Sequence, residues 1–199
     1  MTAIMLKVEL QLVTVNLLKG EHRTAAFLKL NPNGKIPLLE DEGFLLWESH
    51  AIMQYLADRC GAPTLYPSDL QARADVNRWL FWSAYHFTPA VGTISRERVS
   101  KRMVVTSGSS EPDPREIASG EALFTAAARV LDTHLQGKRW IAQDRLTLAD
   151  VAIAAPLMHT DAAQLPVSGY QNLLQWFARV QALEAWRQSS HTAEKVTPA

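Results

Sequence analysis

The chain has 199 residues, enough for one or two domains with a real core. Hydrophobic residues make up 47% and charged residues 20%, and Lys plus Arg balances Asp plus Glu at 20 each, so there is no basic footprint for nucleic acid. Cys60 is the only cysteine, which excludes intrachain disulfides and a Cys-rich metal site. No apolar run approaches the roughly 18 residues of a membrane helix. Residues 1–6 are too short for a signal peptide, so the cytoplasm is the expected compartment.

In chain order, Ala3-Ile4-Met5-Leu6-Lys7 reads as the start of a buried strand, and Leu10 to Val15 alternates as a second. Lys19 to Thr24 is a polar loop that leads into a short helix over residues 25–30. Asn31-Pro32-Asn33-Gly34 is a turn that feeds the apolar strand Lys35-Ile36-Pro37-Leu38-Leu39. Proline gives no N–H to a ladder, so Pro37 suits an edge, a bulge or a cis bond. The N–H and C=O of Ile36 are then expected to face outward, ready to pair with an extended peptide. Leu45-Leu46-Trp47 closes a strand, and Glu48-Ser49 opens a helix that runs to Cys60. Ser49 at a helix N-terminus favours an anion, and Glu48 can hold an ammonium group; both are equally compatible with a plain helix cap. Cys60 sits at the C-terminal end of that helix, the wrong end for a reactive thiol.

Gly61 to Asp69, with two prolines, marks a linker. From Leu70 onward the pattern is helical throughout. A long helix is expected over 71–103, bent at Pro89 or Gly92. Its aromatics are dense, and spacings of three and four put Trp79, Trp82 and either Tyr85 or His86 on one face. Residues 106–114 read as a polar loop, and 116–135 as an amphipathic helix with Leu123, Phe124, Ala127, Val130, Leu131 and His134 near one stripe. Thr147 followed by Asp150 forms a capping box before a helix, reaching about Met158, so rich in Ala, Val and Ile that it must be buried. Two more helices are expected over 170–179 and 183–188, then a frayed polar tail from Ser190.

Four segments, GEHRT, NPNGKIP, WESHAI and LTLADVAIA, in this order and spacing, resemble the cytosolic glutathione transferases of bacterial type. The resemblance runs from about Glu9 to about Arg187. It implies an α/β plus all-α architecture: a thioredoxin-like N-terminal domain (residues 1–62), a linker (63–69) and a C-terminal helical bundle domain (70–199). It implies glutathione as co-substrate, held by His22, Lys35, Ile36, Pro37, Glu48 and Ser49. It also implies a small hydrophobic electrophile in a pocket lined by Trp82, Tyr85 and His86, a homodimer, and no metal, membrane or nucleic acid. In some relatives the residues at His22 and Arg23 reach the glycyl carboxylate; Lys35, a point charge on a flexible stem, has the better claim. His22 and Arg23 read equally well as a solvated basic loop.

In the resembled fold the first two strands are parallel, which needs a crossover of a dozen or more residues, and only Val8 and Glu9 could separate them. The crossover that should carry an activating Ser, Tyr or Cys is not in the sequence. Three readings stay open: a segment missing between Lys7 and Val8 (favoured, because both flanks read as intact strand), a truncation that merges the strands, or an unrelated lead-in. The catalytic residue is therefore unassigned, Thr2 being a poor substitute. Beside a transferase stands a non-catalytic glutathione-transferase-like binding or assembly module. A thiol–disulfide oxidoreductase comes third.

Overall fold

The computed structural model describes residues 1–101 and 111–195, with side chains to residue 189. The expected loop at 106–114 thus lies largely outside the described residues. Contacts divide the chain into two units, Met1–Pro63 with the segment that begins at Glu184, and Thr64–Leu183.

The first unit opens on a helix where a strand was expected. Helix α1 spans Thr2–Leu6 and ends in a Schellman turn, with Lys7 left-handed (φ 56°). The Lys7 N–H donates to Ile4 C=O at 3.1 Å and the Val8 N–H to Ala3 C=O at 2.9 Å. Lys7 and Val8 are therefore a helix cap rather than a junction between two strands. Residues 8–16 join no ladder among the described residues. Leu12 and Val13 are 69% and 78% exposed, so the alternation buries neither face. Strand preference is a preference for packing on neighbours, and local sequence without a partner does not realise it.

A 3₁₀ turn, Glu21–Arg23, precedes α2 (Ala25–Leu30), which Thr24 caps by accepting the Phe27 N–H at 3.3 Å. Among the described residues the sheet is a single hairpin of β1 (Leu38–Asp41) and β2 (Phe44–Trp47), with Leu38 opposite Trp47 and Asp41 opposite Phe44. Glu42 and Gly43 both have positive φ (52° and 86°), the two-residue turn whose twist suits a hairpin. Helix α3 (Ser49–Arg59) follows and stops in a second Schellman turn with Gly61 left-handed. Tyr55 on α3 donates to Asp41 at 2.6 Å and Arg59 pairs with the same carboxylate at 3.0 Å, tying hairpin to helix.

In the second unit, Asp69 caps α4 (Leu70–Trp82) by accepting the Ala72 N–H at 2.9 Å. The long helix expected over 71–103 is helical as far as Lys101, and it is widened at two places. A π-type turn, Ser83–Phe87, leads into α5 (Thr88–Ser95), and a second, Arg96–Ser100, follows. Pro89 cannot donate to Tyr85 C=O and its ring would crowd that carbonyl; widening the turn just before it absorbs the conflict. Gly92 interrupts nothing.

Helix α6 (Pro114–Leu135) starts at the Asp113 cap. It crosses α5 at Gly120, where a Cβ would lie 2.8 Å from Ile94 Cγ1. Of the expected stripe on α6, Phe124, Ala127 and Leu131 are buried while Leu123 and Val130 are exposed, so the buried face is narrower than the composition suggests. Helix α7 (Leu148–Ala154) is buried all round and passes into a 3₁₀ turn, Ala155–His159, at the end of which Met158 is exposed. Helix α8 (Gln171–Gln181) buries Leu173, Trp176 and Val180.

The last helix, α9 (Glu184–Lys195), extends well past the expected start of a frayed tail, and it packs on α1 in the first unit. The C-terminal segment therefore groups with the N-terminal residues rather than with 70–183. Among the described residues no helix is long and apolar enough to cross a membrane.

Candidate functional site

The NPNGKIP loop is organised from inside by Asn31, which is 2% exposed. Its side-chain amide donates to Lys35 C=O at 2.6 Å, and its Oδ1 accepts the Asn33 N–H at 3.0 Å. Gly34 closes the turn by donating to Asn31 C=O at 3.0 Å, at a φ of 58° that suits glycine. A Cβ there would press on the carbonyl of His22 at 3.1 Å, so the glycine also lets this loop lie against the 3₁₀ turn. The sequence marks Asn31 only as a turn residue; its burial as the internal strut is visible only in the fold.

Between the two loops lies an open cavity of about 600 Å³ lined by Leu17, His22, Arg23, Leu28, Asn33, Gly34, Lys35 and Ile36. Of the residues singled out from sequence, His22, Lys35 and Ile36 meet here. The Ile36–Pro37 bond is cis. Ile36 lies outside the ladder, which starts at Leu38, and among the described residues nothing bonds to its N–H or C=O. Neither Arg23 nor Lys35 has an ion-pair partner among the described residues.

Glu48 and Ser49 stand, both exposed, at the start of α3. Ser49 is the first helical residue, where the opening N–H groups of α3 have no helical acceptor. Glu48 has φ 72° and ψ 112°, a conformation a non-glycine residue occupies at a cost of about 1–3 kcal/mol. Nothing in the sequence announces that strain. It holds a carboxylate beside a helix N-terminus, a pairing that suits a zwitterionic amino-acid head.

The aromatic candidates belong to the second unit. Trp82 is half-buried, stacked on Phe87 at 5.6 Å and edge-on to Trp79 at 5.2 Å, with the His86 ring at 6.4 Å. His86, rather than Tyr85, therefore continues the Trp79–Trp82 face. Tyr85 is 76% exposed and stands apart. His134, in the last turn of α6, lies with its ring centroid 4.4 Å from Trp79 and its Nε2–H donating to Ile141 C=O at 2.7 Å. Thr2 is buried and lines no part of the cavity. Cys60 is free and exposed.

Two histidines carry a stability signal. Burial lowers the pKa of His50, against the pull of Glu48. Burial also lowers that of His134, with Lys138 and Arg78 adding to it and the Ile141 carbonyl opposing. Unfolded, both titrate near ~6.5. Between the lowered folded value and ~6.5 the unfolded chain binds more protons, so their contribution is complete above that window and drains as pH falls through it. The urea midpoint is expected to be lower at pH 5.5 than at pH 7.5, with His134→Gln flattening part of the slope. A midpoint unchanged between the two pH values would contradict this.

Comparison with known proteins matches residues 2–58 to the family described as "Glutathione S-transferase, N-terminal domain" and residues 114–179 to "Glutathione S-transferase, C-terminal domain". A delta-class glutathione transferase of Nilaparvata lugens is 33% identical, with 91% of this chain and 80% of that one covered and a TM-score of 0.76. A "possible" glutathione S-transferase of Rhodopseudomonas palustris is 28% identical over 92% of this chain and 79% of its own, with a TM-score of 0.81. A glutathione S-transferase of Pseudomonas fluorescens is 27% identical over 92% and 87%, with a TM-score of 0.79. The fold is a thioredoxin-like domain followed by a helical domain, with the sheet of the first reduced here to the β1–β2 hairpin.

Proposed function

We propose, for a chain that belongs to the glutathione S-transferase family, that it binds glutathione and transfers the thiolate to a small hydrophobic electrophile. The observation that carries this reading is the N–H and C=O of Ile36, unpaired among the described residues, beside a cavity whose lining includes Lys35, Arg23 and His22. An extended peptide satisfies the first, and its terminal carboxylate satisfies the second. Glu48 takes the α-ammonium and the N-terminus of α3 at Ser49 takes the α-carboxylate of the γ-glutamyl head. A free thiol titrates near ~8.5, so glutathione is mostly protonated at neutral pH; hydrogen bonds to sulfur that lower that value by one unit contribute about 1.4 kcal/mol. Trp82, Tyr85 and His86 are the proposed contacts of the electrophile, in a cytoplasmic homodimer that handles reactive small molecules.

Calorimetry with glutathione tests the binding half. Ser49→Ala and Lys35→Ala are each expected to weaken it by about tenfold or more, the scale of one lost charge-assisted hydrogen bond. No heat in the unaltered protein would end the reading. Turnover of a general aryl halide tests the chemical half. Binding without turnover favours instead a glutathione-binding module.

A further inference from the structure

The cavity beside Ile36 holds more positive charge than one glycyl carboxylate needs. Glutathione ends in a single carboxylate, and Lys35 alone can pair with it. Arg23 remains, and the chain supplies it with no acid among the described residues. The nearest acid in sequence, Glu21, is committed elsewhere: its Oε2 accepts the Asn16 N–H at 2.6 Å. The Arg23 Nε donates to His22 Nε2 at 3.2 Å, which fixes the guanidinium on the cavity wall and leaves the ring hydrogen on Nδ1. That Nδ1 is buried and finds no acceptor among the described residues. A guanidinium with no ion-pair partner and a buried N–H with no acceptor, both among the described residues, thus belong to the lining of one cavity. The volume agrees, since about 600 Å³ is the scale of a drug-sized ligand rather than of one glycine. The rest of the lining (Leu17, Leu28, Asn33, Gly34 and Ile36) carries no acidic side chain, so it offers no competing anion.

We infer that this cavity accepts a glutathione extended beyond its glycine by a residue bearing a second carboxylate, with Lys35 and Arg23 each meeting one acid. The inference rests on the glutathione reading above and deepens it. It concerns binding only; no bond is made or broken at this end of the ligand.

The test is calorimetry at low ionic strength with three S-methylated peptides: γ-Glu-Cys-Gly, γ-Glu-Cys-Gly-Ala and γ-Glu-Cys-Gly-Asp. The alanine extension has the length of the aspartate extension without its extra charge. The aspartate peptide is expected to bind about fivefold more tightly than the other two, the upper scale of one solvent-exposed ion pair. The advantage should shrink as salt is raised, and it should vanish in Arg23→Gln, where the aspartate and alanine peptides bind alike. Equal affinity of the two extended peptides in the unaltered protein overturns the inference while leaving glutathione binding intact. Exclusion of both extended peptides, or an aspartate advantage that survives Arg23→Gln, overturns it equally. If γ-Glu-Cys-Gly itself gives no heat, the glutathione reading and this inference fall together.

Discussion

Replacing Asp150 with asparagine is expected to lower the thermal midpoint by roughly 10 °C, from a loss of about 3–5 kcal/mol in a chain of this size. The carboxylate is fully buried and four donors converge on it. Its Oδ1 accepts the Ile141 N–H at 3.0 Å and the Trp176 indole N–H at 2.8 Å. Its Oδ2 accepts the Thr147 N–H at 2.9 Å and the Thr147 hydroxyl at 3.2 Å. Burial pushes the Asp150 carboxyl above the usual carboxylate range, and the four donors pull against it. An acid oxygen can accept from all four, but an amide nitrogen cannot accept at all. Asparagine therefore sets its NH₂ against two donors that have nowhere else to turn, which costs more than a missing bond. Trp176→Phe removes one donor and leaves the other three satisfied, so it should lose only about 1 kcal/mol of hydrogen bonding. Thermal melts of the two variants separate these cases. If Asp150→Asn melts no lower than Trp176→Phe, the convergent network is not what fastens the loop at Ile141 to α7 and α8.

Glu48→Gly should stabilise the protein while disabling its ligand site. Glycine occupies φ 72° without the penalty a side chain incurs, and relief of about 1–3 kcal/mol outweighs the extra chain entropy of glycine in the unfolded state, for a net gain of about 1 kcal/mol. The same change removes the carboxylate proposed to hold the α-ammonium of glutathione. Affinity should fall about tenfold to a hundredfold, the range of a lost hydrogen bond to a charged group. Paired melting and calorimetry on this one variant read both effects. Glu48→Gln separates charge from backbone: it keeps the strained geometry, so its melting should stay near that of the parent while its affinity falls. A glycine variant that melts lower than its parent removes the strain from the account. One that binds glutathione undiminished removes Glu48 from the site.

Much of this was legible because it is written in local chemistry. The Asn-Pro-Asn-Gly turn, the Thr147–Asp150 capping box and the helix start at Ser49 all depend on residues within a few positions of one another. What was misread depended on distant partners. Leu10 to Val15 alternates as a strand does, but alternation becomes a strand only where a neighbour supplies the other half of the ladder. Residues 3–7 are too few for apolar content to separate helix from strand, and the Schellman turn at Lys7 uses a residue that does not advertise a left-handed conformation. The π-type turns flanking α5 shift register without changing composition. In the candidate site, His22, Lys35 and Glu48 could be picked out from the chain. The burial of Asn31 beneath the loop and the positive φ of Glu48 could not, because each is imposed by packing around it.

The meeting of α5 and α6 at Gly120 also bears on how this chain can vary. Every other amino acid brings at least one carbon to a point 2.8 Å from Ile94 and 3.3 Å from the Cβ of Thr93. Exposed neighbours such as Ala118 and Ser119 are free to drift, whereas growth at position 120 requires Ile94 and Thr93 to shift. At this crossing a larger residue is therefore expected to arise together with a change at Ile94 or Thr93, so the three positions vary as a set.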